Sequence, residues 1–412
     1  MLAAILCAVL VACTASTVEN APPVREKNAP DREPIAASLD SNFAMSNNQF
    51  GFDLFAEVRQ QNPDSNIFIS PTSINLALLM AYNGAEGDTK AAIAQTLHLS
   101  SEDLDNINQN SAALMETLEN LDENVQLTIA NSLWTRQGIE LKPDFLDRVS
   151  QFYNARAESL DFDDPSAVET INNWVADRTN DKIDGIIDRI SPDNILFLIN
   201  AIYFKGNWTV PFPEARTSDR PFTLADGSQK QHPLMSVTDE FDYLETDTFQ
   251  AVFLPYGDGS LGFYIFLPQE NTSLADFYAN LNAENWQSWT QQLTRQRGTV
   301  ALPKFKLEYG LSLNPALQNL GMAIAFDRNA ADFSGLQEPP PSLAIDEVKH
   351  KSFIEVNEAG TEAAASTSVG VTATSVPVEE FEMTVDRPFG AAIADTETGT
   401  ILFFGSIVDP VL

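Results

Sequence analysis

Apolar and polar positions along the chain change period near residue 195. Before that point most apolar positions recur at helical spacing. Phe52, Phe55 and Val58 repeat every three residues and predict a helix over 49–59. A nearly unbroken apolar run predicts a helix over 73–80, and an alanine-rich one follows over 91–97. Pro143 opens a helix over 143–153, and 167–180 carries another. The exception is 125–134, Val-Gln-Leu-Thr-Ile-Ala-Asn-Ser-Leu-Trp, which alternates and reads as a strand. Beyond Ile195 strands dominate, over 196–204, 250–254, 261–267 and 299–307, with one more helix over 313–320. Helices early and strands late give the α+β class, and no internal repeat interrupts the order.

A strand-like segment over 352–356, Ser-Phe-Ile-Glu-Val, runs into Glu358–Ser368, which reads Glu-Ala-Gly-Thr-Glu-Ala-Ala-Ala-Ser-Thr-Ser. This stretch has no bulky apolar residue, so it cannot anchor a core. Its plain reading is a surface loop of small polar residues. Thr361, Ala363, Ala365 and Thr367 alternate, however, so all four would face one way in a strand. Such a segment can sit exposed and later enter a sheet at little steric cost.

The first twelve residues are apolar but too short to span a membrane, and they read as the core of a signal peptide. Leu10-Val-Ala-Cys13 resembles a bacterial lipobox, in which Cys13 becomes the lipidated first residue. The stretch lacks the Lys or Arg of the usual pattern, and an ordinary signal with incidental cysteines is the alternative. Residues 13–42, rich in Pro, Ala, Asn and charge, show no apolar period and read as a disordered tether. Some 25 such residues span roughly 80 Å when fully extended. The folded domain is then expected over 43–412.

Composition adds limits. With 412 residues and 44% hydrophobic content the chain buries a large core. Its net charge is −34, from 24 basic and 58 acidic residues, which argues against nucleic acid and heparin-like polyanions as partners. The only cysteines are Cys7 and Cys13, so a chain lipidated at Cys13 has no disulfide in its folded part. Gly257-Asp-Gly-Ser-Leu-Gly262 fits a dinucleotide fingerprint. It is followed by the strand-like Phe263-Tyr-Ile-Phe-Leu267 instead of a helix, and reads as a hairpin turn. There are three histidines, His98, His232 and His350, and no H-E-x-x-H, C-x-x-C or G-x-S-x-G motif. The expectation is a protein without enzymatic activity, metal or cofactor.

Four groups of segments carry a resemblance. Val356-Asn-Glu-Ala-Gly-Thr-Glu-Ala-Ala-Ala-Ser-Thr367 resembles the hinge of the reactive-centre loop of serpins, the serine-protease-inhibitor family. Asn66-Ile-Phe-Ile-Ser-Pro-Thr-Ser-Ile-Asn-Leu-Ala-Leu78 with Asn83-Gly-Ala-Glu-Gly-Asp-Thr89 resembles its N-terminal block. Ile171-Asn-Asn-Trp-Val175 and Leu198-Ile-Asn-Ala-Ile-Tyr-Phe-Lys-Gly-Asn-Trp208 resemble its central block. Val385-Asp-Arg-Pro-Phe389 and Thr398-Gly-Thr-Ile-Leu-Phe-Phe-Gly405 resemble its C-terminal signature. The similarity runs in order from about residue 49 to 410. Gly390-Ala-Ala-Ile393 departs from the bulky residues common there, and the stretches 101–105 and 116–123 are acidic where heparin-binding members are basic.

The resemblance implies the serpin fold, three β-sheets with about eight or nine helices and an exposed loop at about 358–380. It implies a monomer that inhibits a serine protease as a suicide substrate in a covalent 1:1 complex. The hinge maps to Glu358, Gly360, Thr361, Glu362, Ala363, Ala364, Ala365 and Ser366. Ser70, Ser73, Asn200 and His350 match the family's shutter, the polar cluster beneath the strands that must part. Trp208 and Lys304 match the breach, where the loop enters, and Lys304 is the expected partner of Glu358. Family spacing places the scissile bond at Thr374–Ser375, with a frame error of one or two residues choosing 373–374 or 372–373. All candidates are small, which suits an elastase- or subtilisin-like target. A non-inhibitory serpin acting as a surface binding or storage protein is the alternative, and Ala363-Ala-Ala365 in the hinge speaks against it. A surface enzyme is the third reading, decided by testing the protein for hydrolysis.

Overall fold

The computed structural model describes residues 32–99, 103–361 and 380–412. Among these residues the chain forms ten α-helices. They are α1 (Arg32–Ser38), α2 (Ser41–Gln61), α3 (Pro71–Tyr82), α4 (Gly87–Thr96), α5 (Leu104–Glu119), α6 (Pro143–Tyr153), α7 (Ala167–Arg178), α8 (Leu274–Ala279), α9 (Ala283–Gln292) and α10 (Asn314–Leu317). The early strands are β1 (Ile67–Ile69), β2 (Val125–Arg136), β3 (Arg156–Leu160), β4 (Leu196–Asn207) and β5 (Ser218–Thr223). The middle ones are β6 (Gln229–Glu245), β7 (Phe249–Tyr256), β8 (Leu261–Pro268), β9 (Thr294–Pro303) and β10 (Phe305–Ser312). The last are β11 (Glu347–Val356), β12 (Gly360–Thr361), β13 (Phe381–Thr384), β14 (Phe389–Asp395) and β15 (Ile401–Ile407).

The α+β expectation holds. One six-stranded sheet runs β10-β11-β12-β4-β2-β3. The rest pair as β1-β15-β14-β8-β7-β6-β9-β13, with β5 on β6. The 17-residue β6 reaches β5, β7 and β9 in turn, so the two smaller expected sheets are hydrogen-bonded into one network through it. The main core fills the space between the sheets. α3 lies inside it, buried at all twelve positions, as a helix apolar on every side must be. Pro71 at its first turn and Ser70 as N-cap fix where it starts, with Ser70 Oγ accepting from Ser73 N at 3.2 Å. A second core lies on the other face of the six-stranded sheet, where Ile171, Trp174 and Val175 of α7 meet Ala130, Trp134, Ile199 and Phe353.

Several expectations change. Residues 32–38, inside the expected tether of 13–42, form α1, which docks on α5 with Arg32 buried. The Arg32 guanidinium holds the buried Asp395 carboxylate, reaches Glu397 at 2.7 Å and donates from Nε to Thr117 O at 3.1 Å. The strand over 299–307 is two strands, β9 and β10, which break at Lys304. The helix over 313–320 stops at Leu317 and continues as a π-turn, Gln318–Met322. α5 links the two acidic stretches, 101–105 and 116–123. It buries Ile107, Leu114 and Leu118, but also Asn108, Asn110 and Ser111, so its inner face is half polar. The small residues of Gly390–Ile393 lie in the fully buried β14, where a Cβ on Gly390 would stand 3.3 Å from the Phe277 ring. Residues 257–260 turn the β7–β8 hairpin, as the strand after them requires.

Candidate functional site

The site is a seam in the six-stranded sheet. β4 and β11 pair in parallel from Phe197 with Glu347 to Tyr203 with Phe353. Above that point they diverge, and β12 stands between them. Gly360 pairs with Asn207, and Thr361 pairs with Gly206 on β4 and with Val356 on β11, antiparallel to both strands. The hinge thus begins as a two-residue strand already seated at the head of the seam. Gly360 is required there by close approach, since a Cβ would meet Gly206 O at 2.0 Å.

Aromatic and charged groups fix this entry point. Trp208 N donates to Ala359 O at 3.0 Å, and its indole Nε1 donates to Asn357 O at 2.9 Å. The indole stacks on Tyr256 with centroids 4.4 Å apart. Tyr256 Oη in turn lies 2.6 Å from Thr361 Oγ1, and burial pushes that phenol well above its ordinary pKa. Lys304 Nζ lies 2.8 Å from Glu358 Oε2, and Thr217 Oγ1 donates to Oε1 at 2.8 Å. Burial alone would raise the Glu358 carboxyl; the bonds from Lys304 and Thr217 outweigh it and hold the group below the usual range. The Lys304 partner expected for Glu358 is therefore in place, with Thr217 added. Phe212 N donates to Glu358 O at 2.8 Å, so backbone and side chain are both held.

Further down the seam, His350 and Asn200 are register partners on β11 and β4. Ser70 N donates to His350 Nε2 at 3.2 Å, which leaves Nδ1 to donate to Asn200 Oδ1 at 2.5 Å. Asn200 Nδ2 donates to Asn131 Oδ1 at 2.5 Å and to Ser73 Oγ. Asn131 Nδ2 continues to Ser73 O at 3.3 Å, and Ser70 Oγ donates to Leu402 O at 2.6 Å. All five residues are buried, and burial pushes the His350 imidazole down to about 3. A neutral imidazole is also the form its partners need, one nitrogen accepting and one donating. The structure thus brings Ser70, Ser73, Asn200 and His350 into one network across the seam. Side-chain hydrogen bonds of this kind can change partners when strands part, which interlocked aliphatic groups cannot do.

The chain returns to the fold at β13. Phe381 stacks on Tyr243 at 3.9 Å and covers Gly298, where a Cβ would sit 2.2 Å from the ring. Glu380 pairs with Arg297 at 2.8 Å. The described chain on either side of residues 362–379 is therefore held in place, at Thr361 and at Glu380. Glu362, Ala363, Ala364, Ala365, Ser366, the Thr374–Ser375 bond and Cys13 lie outside the described residues.

The other histidines serve local contacts. His98 pairs with Asp53 at 2.7 Å on the surface, and His232 Nε2 lies 2.5 Å from Lys304 O. Sequence reasoning missed Asn131, Tyr256, Thr217 and Asn357. Asn131 left a signal, since it shares a strand face with Leu127, Ile129 and Leu133 and is the polar residue in that apolar row. The other three left none.

A profile of the family described as Serpin (serine protease inhibitor) matches residues 45–410. A serpin-like protein of Thermococcus kodakarensis is 38% identical over 368 residues, covering 88% of this chain and 84% of that protein. Human leukocyte elastase inhibitor is 34% identical over 377 residues, covering 89% and 98%. Among solved structures, the thermophilic serpin tengpin in its native state has TM-score 0.85 at 33% identity, covering 95% and 97% of the two chains. Human thyroxine-binding globulin complexed with thyroxine has TM-score 0.83 at 29% identity, covering 90% and 99%.

Proposed function

The chain belongs to the serpin family, and on that premise we propose that it is a suicide-substrate inhibitor of serine proteases. One observation carries this reading: Gly360–Thr361 already pair with both β4 and β11 at the head of a seam closed below by exchangeable polar contacts. A protease serine attacks the loop at Thr374–Ser375 and forms an acyl-enzyme. Released at its C-terminal end, the hinge extends β12 down the seam as a full strand and carries the acylated protease with it. An inserting strand must offer N–H groups to both neighbours, so proline is excluded from its centre, and none occurs between Gly360 and Val376. The small residues around Thr374 favour a shallow specificity pocket, and the leukocyte elastase inhibitors among the relatives agree with an elastase- or subtilisin-like target.

The test is incubation with a panel of serine proteases, read on a denaturing gel. A denaturant-resistant 1:1 band with an elastase- or subtilisin-like enzyme is the expected result. A panel in which every protease cleaves the loop and stays active would sink the reading. We further propose that the chain is exported and held at a bacterial surface by lipid on Cys13, with the stretch up to Arg32 as spacer.

A further inference from the structure

Arg59, near the end of α2, has no ion pair or hydrogen bond from its guanidinium among the described residues, and its Nε is buried without a partner. Arg178 and Arg189 also lack such partners among the described residues, but both are exposed to water, whereas Arg59 is half-buried. Arg32, Arg136, Arg328 and Arg387 each hold a carboxylate. What Arg59 does touch is the Tyr278 ring of α8, with its Cζ 5.3 Å from the centroid. A guanidinium held near a ring by this contact still has N–H donors to offer a planar acceptor.

Arg59 lines a cleft of about 400 Å³ between the end of α2, α8 and the ends of β8 and β15. Ligand sites run from about 300 to 1,000 Å³ with mostly apolar walls and few polar groups. Here Leu224, Pro268, Leu274 and Val408 form apolar wall, and Tyr278 adds an aromatic surface. The lining also includes Arg387, which is already committed: its Nε and Nη2 donate to Pro268 O and its Nη1 to Asp386. Glu270 is the carboxylate of the lining, lies exposed and forms no ion pair with Arg59. A cation is therefore left with donors to satisfy at the side of an apolar cleft.

We propose that this cleft is a binding site for a small amphipathic carboxylate, whose acid group pairs with Arg59 and whose apolar tail lies along Leu274, Pro268 and Val408. The site shares no residue with the seam and does not depend on the inhibitory reading.

The probe is decanoate, with decanol as its uncharged counterpart, titrated calorimetrically into the full-length protein at about 150 mM salt. At that ionic strength the Debye length of about 8 Å keeps the acidic surface from dominating. Saturable 1:1 binding of decanoate is expected, at least tenfold weaker for decanol. Arg59→Gln and the cleft-filling Leu274→Trp should each weaken it at least tenfold. Because the guanidinium makes no hydrogen bond, Arg59→Gln alone should melt within a few degrees of wild type. Absence of saturable binding, equal binding of decanol, or undiminished binding to Arg59→Gln would overturn the proposal. A large loss of thermal stability in Arg59→Gln would also overturn it, by giving Arg59 a structural role.

Discussion

Thr361 Oγ1 lies 2.6 Å from Tyr256 Oη, inside the sheet, one residue after Gly360 enters it. This contact marks where the described strand β12 ends; on the insertion reading, the residues after it become its continuation. Continuing the strand past Thr361 requires a backbone donor at Ala363. Ala363→Pro removes it and cannot sit mid-sheet. The variant should fold with wild-type thermal stability, yet be cleaved as a substrate and leave its protease active. Wild-type inhibition by Ala363→Pro would refute the insertion mechanism.

Thr374→Arg should shift specificity toward trypsin-like enzymes, because an acidic pocket pairs with guanidinium and a shallow pocket cannot hold it. Mass spectrometry of the peptide released on denaturation locates the bond. A peptide beginning away from Ser375 by more than two residues would show the frame to be wrong.

His350 gives the sheet a pH dependence. Its ordinary value of 6.5 is pushed down to about 3 by burial, so below pH 6.5 the unfolded chain binds a proton that the folded chain refuses. Its contribution is complete above pH 6.5 and is lost progressively as pH falls toward 3. The slope is up to about 1.4 kcal/mol per pH unit. His232, also lowered by burial, acts in the same direction. Denaturant midpoints between pH 7.5 and 5 should fall for wild type and fall less for His350→Gln. Parallel curves would remove His350 as a source.

Arg32 is expected to matter more than a residue at the edge of a fold usually does. Arg32→Gln leaves the buried Asp395 carboxylate without its cation, which costs about 3–5 kcal/mol. Adding Asp395→Asn should recover most of the loss in a urea unfolding series. If the double variant is as unstable as Arg32→Gln, the ion pair is not what holds α1 down.

Cys13→Ser tests the anchor. One acyl chain binds a membrane marginally, whereas two or more hold stably. Wild type should partition into detergent and survive salt washing, and the variant should be soluble, since a chain of net charge −34 gains nothing from anionic headgroups. Both proteins in the soluble fraction would mean simple secretion.

Legibility of the sequence followed how strongly each element's burial is written in apolar residues. α6 was readable to the residue, because Pro143 opens it and Phe145, Val149 and Tyr153 keep one face. α5 was not, because Asn108, Asn110 and Ser111 turn inward beside its leucines and erase the apolar stripe. The break at Lys304 was hidden because apolar residues continue on both sides, while the turn is imposed by His232 and Glu358 from distant parts of the chain. The seam cluster could be located only through resemblance. A buried Ser or Asn looks like any other in sequence, and its partners lie up to 332 positions away.

The two-residue strand β12 also sets a length. Continuing its antiparallel register one for one from Gly360 opposite Asn207, eleven further residues bring residue 371 opposite Leu196, the foot of β4. Thr374 would then stand three residues past the end of the sheet, roughly 10 Å at strand rise. A bond cut several residues earlier would leave the attached enzyme still beside the strands, on ordered backbone. One cut at 372–375 would leave it hanging from the lower rim by a short run with no partner strand. On the insertion reading the sheet would act as a measuring rod, with the distance from hinge to scissile bond as its graduation.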